Sequence, residues 1–130
     1  MAHDRLTAIL DLAQKHGRYR PNAYNFVLDA VEFTVARLPE RRHVSGRELL
    51  EGIRDLALQA FGPMAKTVFE QWGVHRTEDF GQIVFQLVES GLLGKTDRDR
   101  LSDFARGYDF NEVFVRNFDW LERIPGGPGA

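Results

Sequence analysis

The 130 residues carry seventeen Lys and Arg against nineteen Asp and Glu, a formal charge of -2, which excludes a generally basic nucleic-acid binder and an acidic disordered tail. A composition of 43% hydrophobic and 28% charged residues is that of one globular domain, large enough to bury a core without a covalent staple. With no cysteine, disulfide frameworks, thiol catalysis and thiolate metal sites are excluded.

Asp4 is placed to cap a first helix whose Leu6, Ile9, Leu10 and Ala13 recur at helical spacing, and Gly17 is placed to end it. Pro21 then suits the first turn of a second helix running to about Leu38, with Pro39 as its stop. Its stripe of Ala23, Val27, Ala30, Val31, Thr34 and Leu38 is flanked by Phe26 and Phe33, a surface wide enough to pack on two sides. Ser45 and Glu48 form the S-x-x-E capping box ahead of Leu49, Leu50, Ile53, Leu56, Ala57 and Ala60.

Gly62-Pro63 opens a short fourth helix with Val68, Phe69 and Trp72 inward, and Gly73 closes it. Thr77 is placed to cap a fifth, with Phe80, Ile83, Val84, Leu87 and Val88 on one face and Glu78, Asp79, Gln82, Gln86 and Glu89 on the other. Around residues 91–106 two short apolar stretches flank the charged run Asp97-Arg98-Asp99-Arg100, which reads as two strands and a turn. Asp109 with Glu112 offers a last cap, for a helix bearing Phe110, Phe114 and Phe118 and reaching about Leu121.

These elements predict a mainly α small helical domain with a winged-helix-like core: three helices at 46–61, 63–72 and 78–90 and a two-stranded β wing at 91–106. Two N-terminal helices and a C-terminal aromatic helix would complete a single domain over residues 1–124. The Gly/Pro tail at 125–130 has nothing to bury and is expected to be disordered. No apolar run reaches the ~18 residues of a membrane span, and the early charges of MAHDRLTAIL do not fit a signal peptide. A cytoplasmic location without membrane partners is the expectation.

The strings RHVSGRELLEGIRDLALQAFGPMAKTVFEQWGV (Arg42–Val74), DFGQIVFQLVESGLLGKT (Asp79–Thr96) and DFARGYDF (Asp103–Phe110) resemble an uncharacterised family, restricted largely to Planctomycetes and Verrucomicrobia and catalogued as a conserved hypothetical protein. The resemblance spans roughly residues 5–118. It implies one compact cytoplasmic bacterial domain and brings no assigned activity or site residues with it.

For function, residues 77–92 carry three acids and no Lys or Arg, so a helix presenting them to a groove of phosphates would be repelled. The wing is no better endowed: Lys95, Arg98 and Arg100 face Asp97, Asp99 and Asp103. Cations gather instead at the helix junctions, Arg18 and Arg20 at the first and Arg41, Arg42 and Arg47 at the second. Those five define the alternative reading, nucleic-acid binding through phosphate contacts or a transcription-regulator-like role. Gly94-Lys95-Thr96 ends like a phosphate loop but lacks its leading glycine, and the four histidines have no metal-ligand spacing.

No cofactor, metal or catalytic residue is therefore expected. The chain reads as a non-enzymatic interaction module of winged-helix type that binds a protein partner or a second copy of itself. The outward face of the fifth helix, Gln82, Phe85, Gln86 and Glu89, is the expected contact surface: one aromatic anchor with polar groups around it. The aromatic run Phe104, Tyr108, Phe110, Phe114, Phe118 and Trp120 is either core or a second sticky surface.

Overall fold

A computed structural model describes residues 4–94 and 101–116. The chain begins with α1 (Arg5–His16), capped by Asp4, whose Oδ1 accepts the Thr7 amide at 2.8 Å. Gly17 ends it at φ +69°, donating its amide to Ala13 O. Pro21 opens α2 (Pro21–Ala36), the most enveloped helix: Ala23, Tyr24, Val27 and Ala30 are wholly buried against α1, α3 and α5.

The capping box forms as the spacing predicts. Ser45 Oγ accepts the Glu48 amide at 3.1 Å, and Glu48 Oε1 accepts the Ser45 amide at 3.0 Å, starting α3 (Gly46–Phe61). A short 3-10 turn at Gly62–Met64 leads into α4 (Ala65–Gln71). Last of the long elements is α5 (Thr77–Glu89).

The helices close around aromatic rings. Phe69 of α4 is fully buried, with its centroid 5.5 Å from Phe26, 5.2 Å from Phe80 and 5.5 Å from Phe114. Edge-on and tilted contacts of this kind add to the burial of such rings, itself worth about 2–3 kcal/mol for a phenylalanine. Phe104, Phe110 and Phe114 are buried, and the half-buried Tyr108 donates its hydroxyl to Leu50 O. Among the described residues the aromatic arm is thus core. Phe118, Trp120 and the tail at 125–130 lie outside them.

The expected winged-helix core with its two-stranded β wing is not found, and the described residues contain no strand. The reason lies in where two amides go. Gly91 takes φ +85°, and the Leu92 amide turns back to Leu87 O at 3.0 Å while Gly91 bonds Val88 O at 3.1 Å. That pair of bonds is a Schellman close of α5. The Leu93 amide also bonds Leu87 O, so the two aliphatics expected to enter a strand have no amides left for one.

Beyond the undescribed residues 95–100, where the polar turn was expected, Leu101–Phe104 form a 3-10 turn. This turn is clamped against α3 and α5. A Cβ on Gly46 or Gly81 would stand 3.0 Å or less from Phe104 side-chain atoms, so both glycines make room for that ring. Thr77 Oγ1 donates to Phe104 O at 2.6 Å and accepts the Gly107 amide at 3.0 Å. Thr77 is therefore the first residue of α5, with Arg76 at the cap position, and its hydroxyl anchors the 101–107 segment instead of capping the helix. Asp109 Oδ1 does accept the Glu112 amide, and a π-type turn follows over Glu112–Arg116.

Candidate functional site

The sequence pattern assigns α5 one outward face, and the structure divides that face in two. At about 100° per residue, Glu78, Gln82, Phe85 and Glu89 fall on one narrow stripe. Gln82, Phe85 and Glu89 are exposed, Phe85 to 48%, and Glu78 is half-buried. Asp79 and Gln86 sit further round and are buried against the junction of α1 and α2.

There Tyr24, with no solvent exposure, donates its hydroxyl to Gln86 Oε1. Asp79 Oδ1 accepts from Tyr19 Oη at 2.7 Å and from Arg18 Nη2 at 3.0 Å. Its Oδ2 accepts the backbone amides of His75 and Arg76 at 2.8 and 3.3 Å. Burial, then the Asp79 carboxylate, pushes the Tyr19 phenol well above its ordinary value. Both Asp79 oxygens are occupied and Tyr19 keeps its proton, so the pair latches α5 to the α1–α2 junction and offers no acid–base chemistry.

A groove of about 440 Å³ lies between α2 and α5, and Val88, which lines it, is three residues beyond the exposed Phe85 on the helix surface. Val31 and Val35 of α2 form one wall and Val84 and Val88 of α5 the other, with Leu49 of α3 and Phe104 between them. The connection from α2 to α3 and the close of α5 complete it through Val44 and Leu93. Among the described residues, its charged or titratable lining residues are Arg41, Arg42 and His43.

Arg42 is committed elsewhere, its Nη1 and Nη2 bonding the Glu48 carboxylate at 3.0 and 2.8 Å. That fork and the Ser45 amide hold the Glu48 carboxyl at about 2. Arg41 and His43 are exposed, and their side chains have no hydrogen-bond or ion-pair partner among the described residues, although the His43 carbonyl accepts from Arg42 Nη1 at 3.0 Å. An apolar floor with a few polar groups at one edge is the usual make-up of a binding groove.

The cations of the nucleic-acid reading are scattered. Arg18 is paired with Asp79 and Arg42 with Glu48, leaving Arg20, Arg41 and Arg47 exposed. Arg20 precedes α2 and the other two follow it, so ~24 Å of helix separates them. A second cleft, of about 350 Å³, runs beside α1 between the exposed Leu6 and the half-buried Trp72. Its polar edge mixes Asn22, Asn25 and Asp29, and Arg5 already holds Asp29 at 2.7 Å.

Among the described residues no group of three His, Asp or Glu side chains is arranged to hold a metal. No described helix is long and apolar enough to cross a membrane. The α2–α5 groove was missed by sequence reasoning because its lining is drawn from parts of the chain as far apart as Val31 and Phe104. The one available signal was the conjunction of Val31 and Val35 with an Arg-Arg-His run just beyond the same helix. No family model, curated protein or solved structure matches the chain.

Proposed function

We propose that this chain is a non-enzymatic interaction module that holds a segment of another polypeptide in the α2–α5 groove, with Phe85 at its edge. The observation that carries the reading is an aliphatic floor with no carboxylate among its described lining residues, walled by a helix that also exposes Phe85. Apolar surface left open next to an aromatic anchor is the arrangement on which hot spots are built. Gln82 and Glu89 flank the anchor as its polar rim, whereas Gln86 serves the fold through Tyr24.

The test is recovery of partners from the native cell with the wild-type chain and with Phe85→Lys. Phe85 is half exposed, so the substitution should move the melting temperature by no more than ~2 °C and should lose the proteins that the wild type retains. An unchanged set of captured proteins refutes the reading. A large fall in melting temperature would make Phe85 a packing residue and refute it equally.

A further inference from the structure

We infer that the segment accepted by the α2–α5 groove is acidic and amphipathic, its apolar side chains lying on the valine floor and its carboxylates meeting Arg41 and His43. This inference rests on the docking reading above and adds the chemistry of the partner.

The argument is one of charge at the rim. Among the groove's described lining residues, every charged or titratable one belongs to the Arg41–His43 run. Arg42 is held in a fork by Glu48, and the same Glu48 is fixed in the capping box of α3. Glu48 is thereby tied to Arg42 and the α3 cap. The capping box also occupies the Ser45 and Glu48 amides at the start of α3. What remains is one guanidinium and one imidazole, exposed at the edge of an apolar surface and without partners among the described residues.

A guanidinium matches a carboxylate with two parallel bonds. A basic segment in the same place would set like charges together beside a floor that cannot solvate them. The groove therefore favours a segment whose carboxylates lie along the Arg41 edge.

The experiment selects a random twelve-residue peptide library displayed on phage against three forms of the full chain: wild type, Arg41→Glu/His43→Glu, and Val88→Asp. Circular dichroism of each form establishes that it is folded. Wild type is expected to enrich net-negative peptides rich in aliphatic and aromatic residues. A synthetic copy of the best one should bind at least about tenfold more weakly to Arg41→Glu/His43→Glu, the loss of one charged contact. That variant should itself select neutral or basic peptides, and Val88→Asp should retain none of the wild-type set.

If wild type and the charge-reversed form select peptides of the same mean charge while Val88→Asp still loses them, the acidic preference is wrong and the docking reading stands. If nothing is enriched, or Val88→Asp keeps the peptides, the docking reading fails and this inference with it. Two further results would replace the partner by the chain itself. One is a tenfold gain in peptide affinity on changing Asp97 and Asp99 to Ser. The other is a dimer in sedimentation that Val88→Asp dissociates.

Discussion

Removing the Tyr24 hydroxyl tests whether Gln86 belongs to the core or to a binding face. Tyr24 is wholly buried and Gln86 is 9% exposed, and the phenol donates to the amide oxygen across the α2–α5 contact. Burial also holds the phenol above its ordinary value, so it remains a donor throughout the neutral range. Tyr24→Phe leaves Gln86 Oε1 facing a ring edge with no donor, and a buried polar group stripped of its partner costs about 1–3 kcal/mol. Gln86→Leu leaves the Tyr24 hydroxyl without an acceptor at similar cost. When both groups are removed together neither is stranded, so the double variant should lie within about 1 kcal/mol of wild type, a coupling of at least ~1 kcal/mol.

For a chain of this length 1 kcal/mol corresponds to about 4 °C in melting temperature. Each single variant should therefore melt ~4–12 °C below wild type, and the double variant within ~4 °C of it. Urea unfolding of the four proteins supplies the cycle. Two singles indistinguishable from wild type, or strictly additive losses, would refute the buried hydrogen bond and return Gln86 to the surface.

Two other perturbations probe the frame that positions the groove. A Cβ on Gly52 would stand 1.8 Å from Thr34 Oγ1, which is fixed by its bond to Ala30 O at 2.7 Å. Gly52→Ala should therefore destabilise by ~1–2 kcal/mol despite the ~1 kcal/mol that alanine gains in a helix, and adding Thr34→Ala should restore most of it in urea unfolding; a stabilised single variant refutes the α2–α3 contact. Glu48 is held at about 2 by Arg42 and the Ser45 amide, against 4.5 ordinarily. Its folded value is the lower one, so its contribution is present above the ordinary value and is lost as pH falls from about 4.5 toward 2. Unfolding free energies of wild type and Glu48→Gln should differ most near neutrality and converge across that window, and a gap independent of pH refutes the ion pair.

What the sequence made legible was local. The Asp4 and Ser45 caps, Pro21 at the start of α2 and the glycine closes at Gly17 and Gly73 each depend on a few neighbouring residues, and helix signals of that kind carry their own mechanism. The wing failed at a non-local point. Leu92 and Leu93 look like the start of a strand until their amides are seen to return to Leu87 O. Nothing in the order of residues showed that Phe104 would lodge between Gly46 and Gly81 and hold the chain in a turn. Thr77 looked like a cap for the same reason, since its true partners at Phe104 and Gly107 lie 27 and 30 residues away.

The division of α5 shows why a polar helical face is not by itself a binding face. Glu78, Asp79, Gln82, Gln86 and Glu89 form one arc by periodicity, yet Arg18, Tyr19 and Tyr24 supply partners that draw Asp79 and Gln86 inside. The surviving stripe is about one side chain wide, far short of the ~800 Å² per partner of an ordinary protein interface. A partner meeting that stripe alone would gain little. The α2–α5 groove, with Val84 and Val88 of the same helix on its wall, holds the apolar surface that the stripe lacks. The proposed docking surface thus draws on two helices and a loop, a level of structure that periodicity in a single helix cannot report.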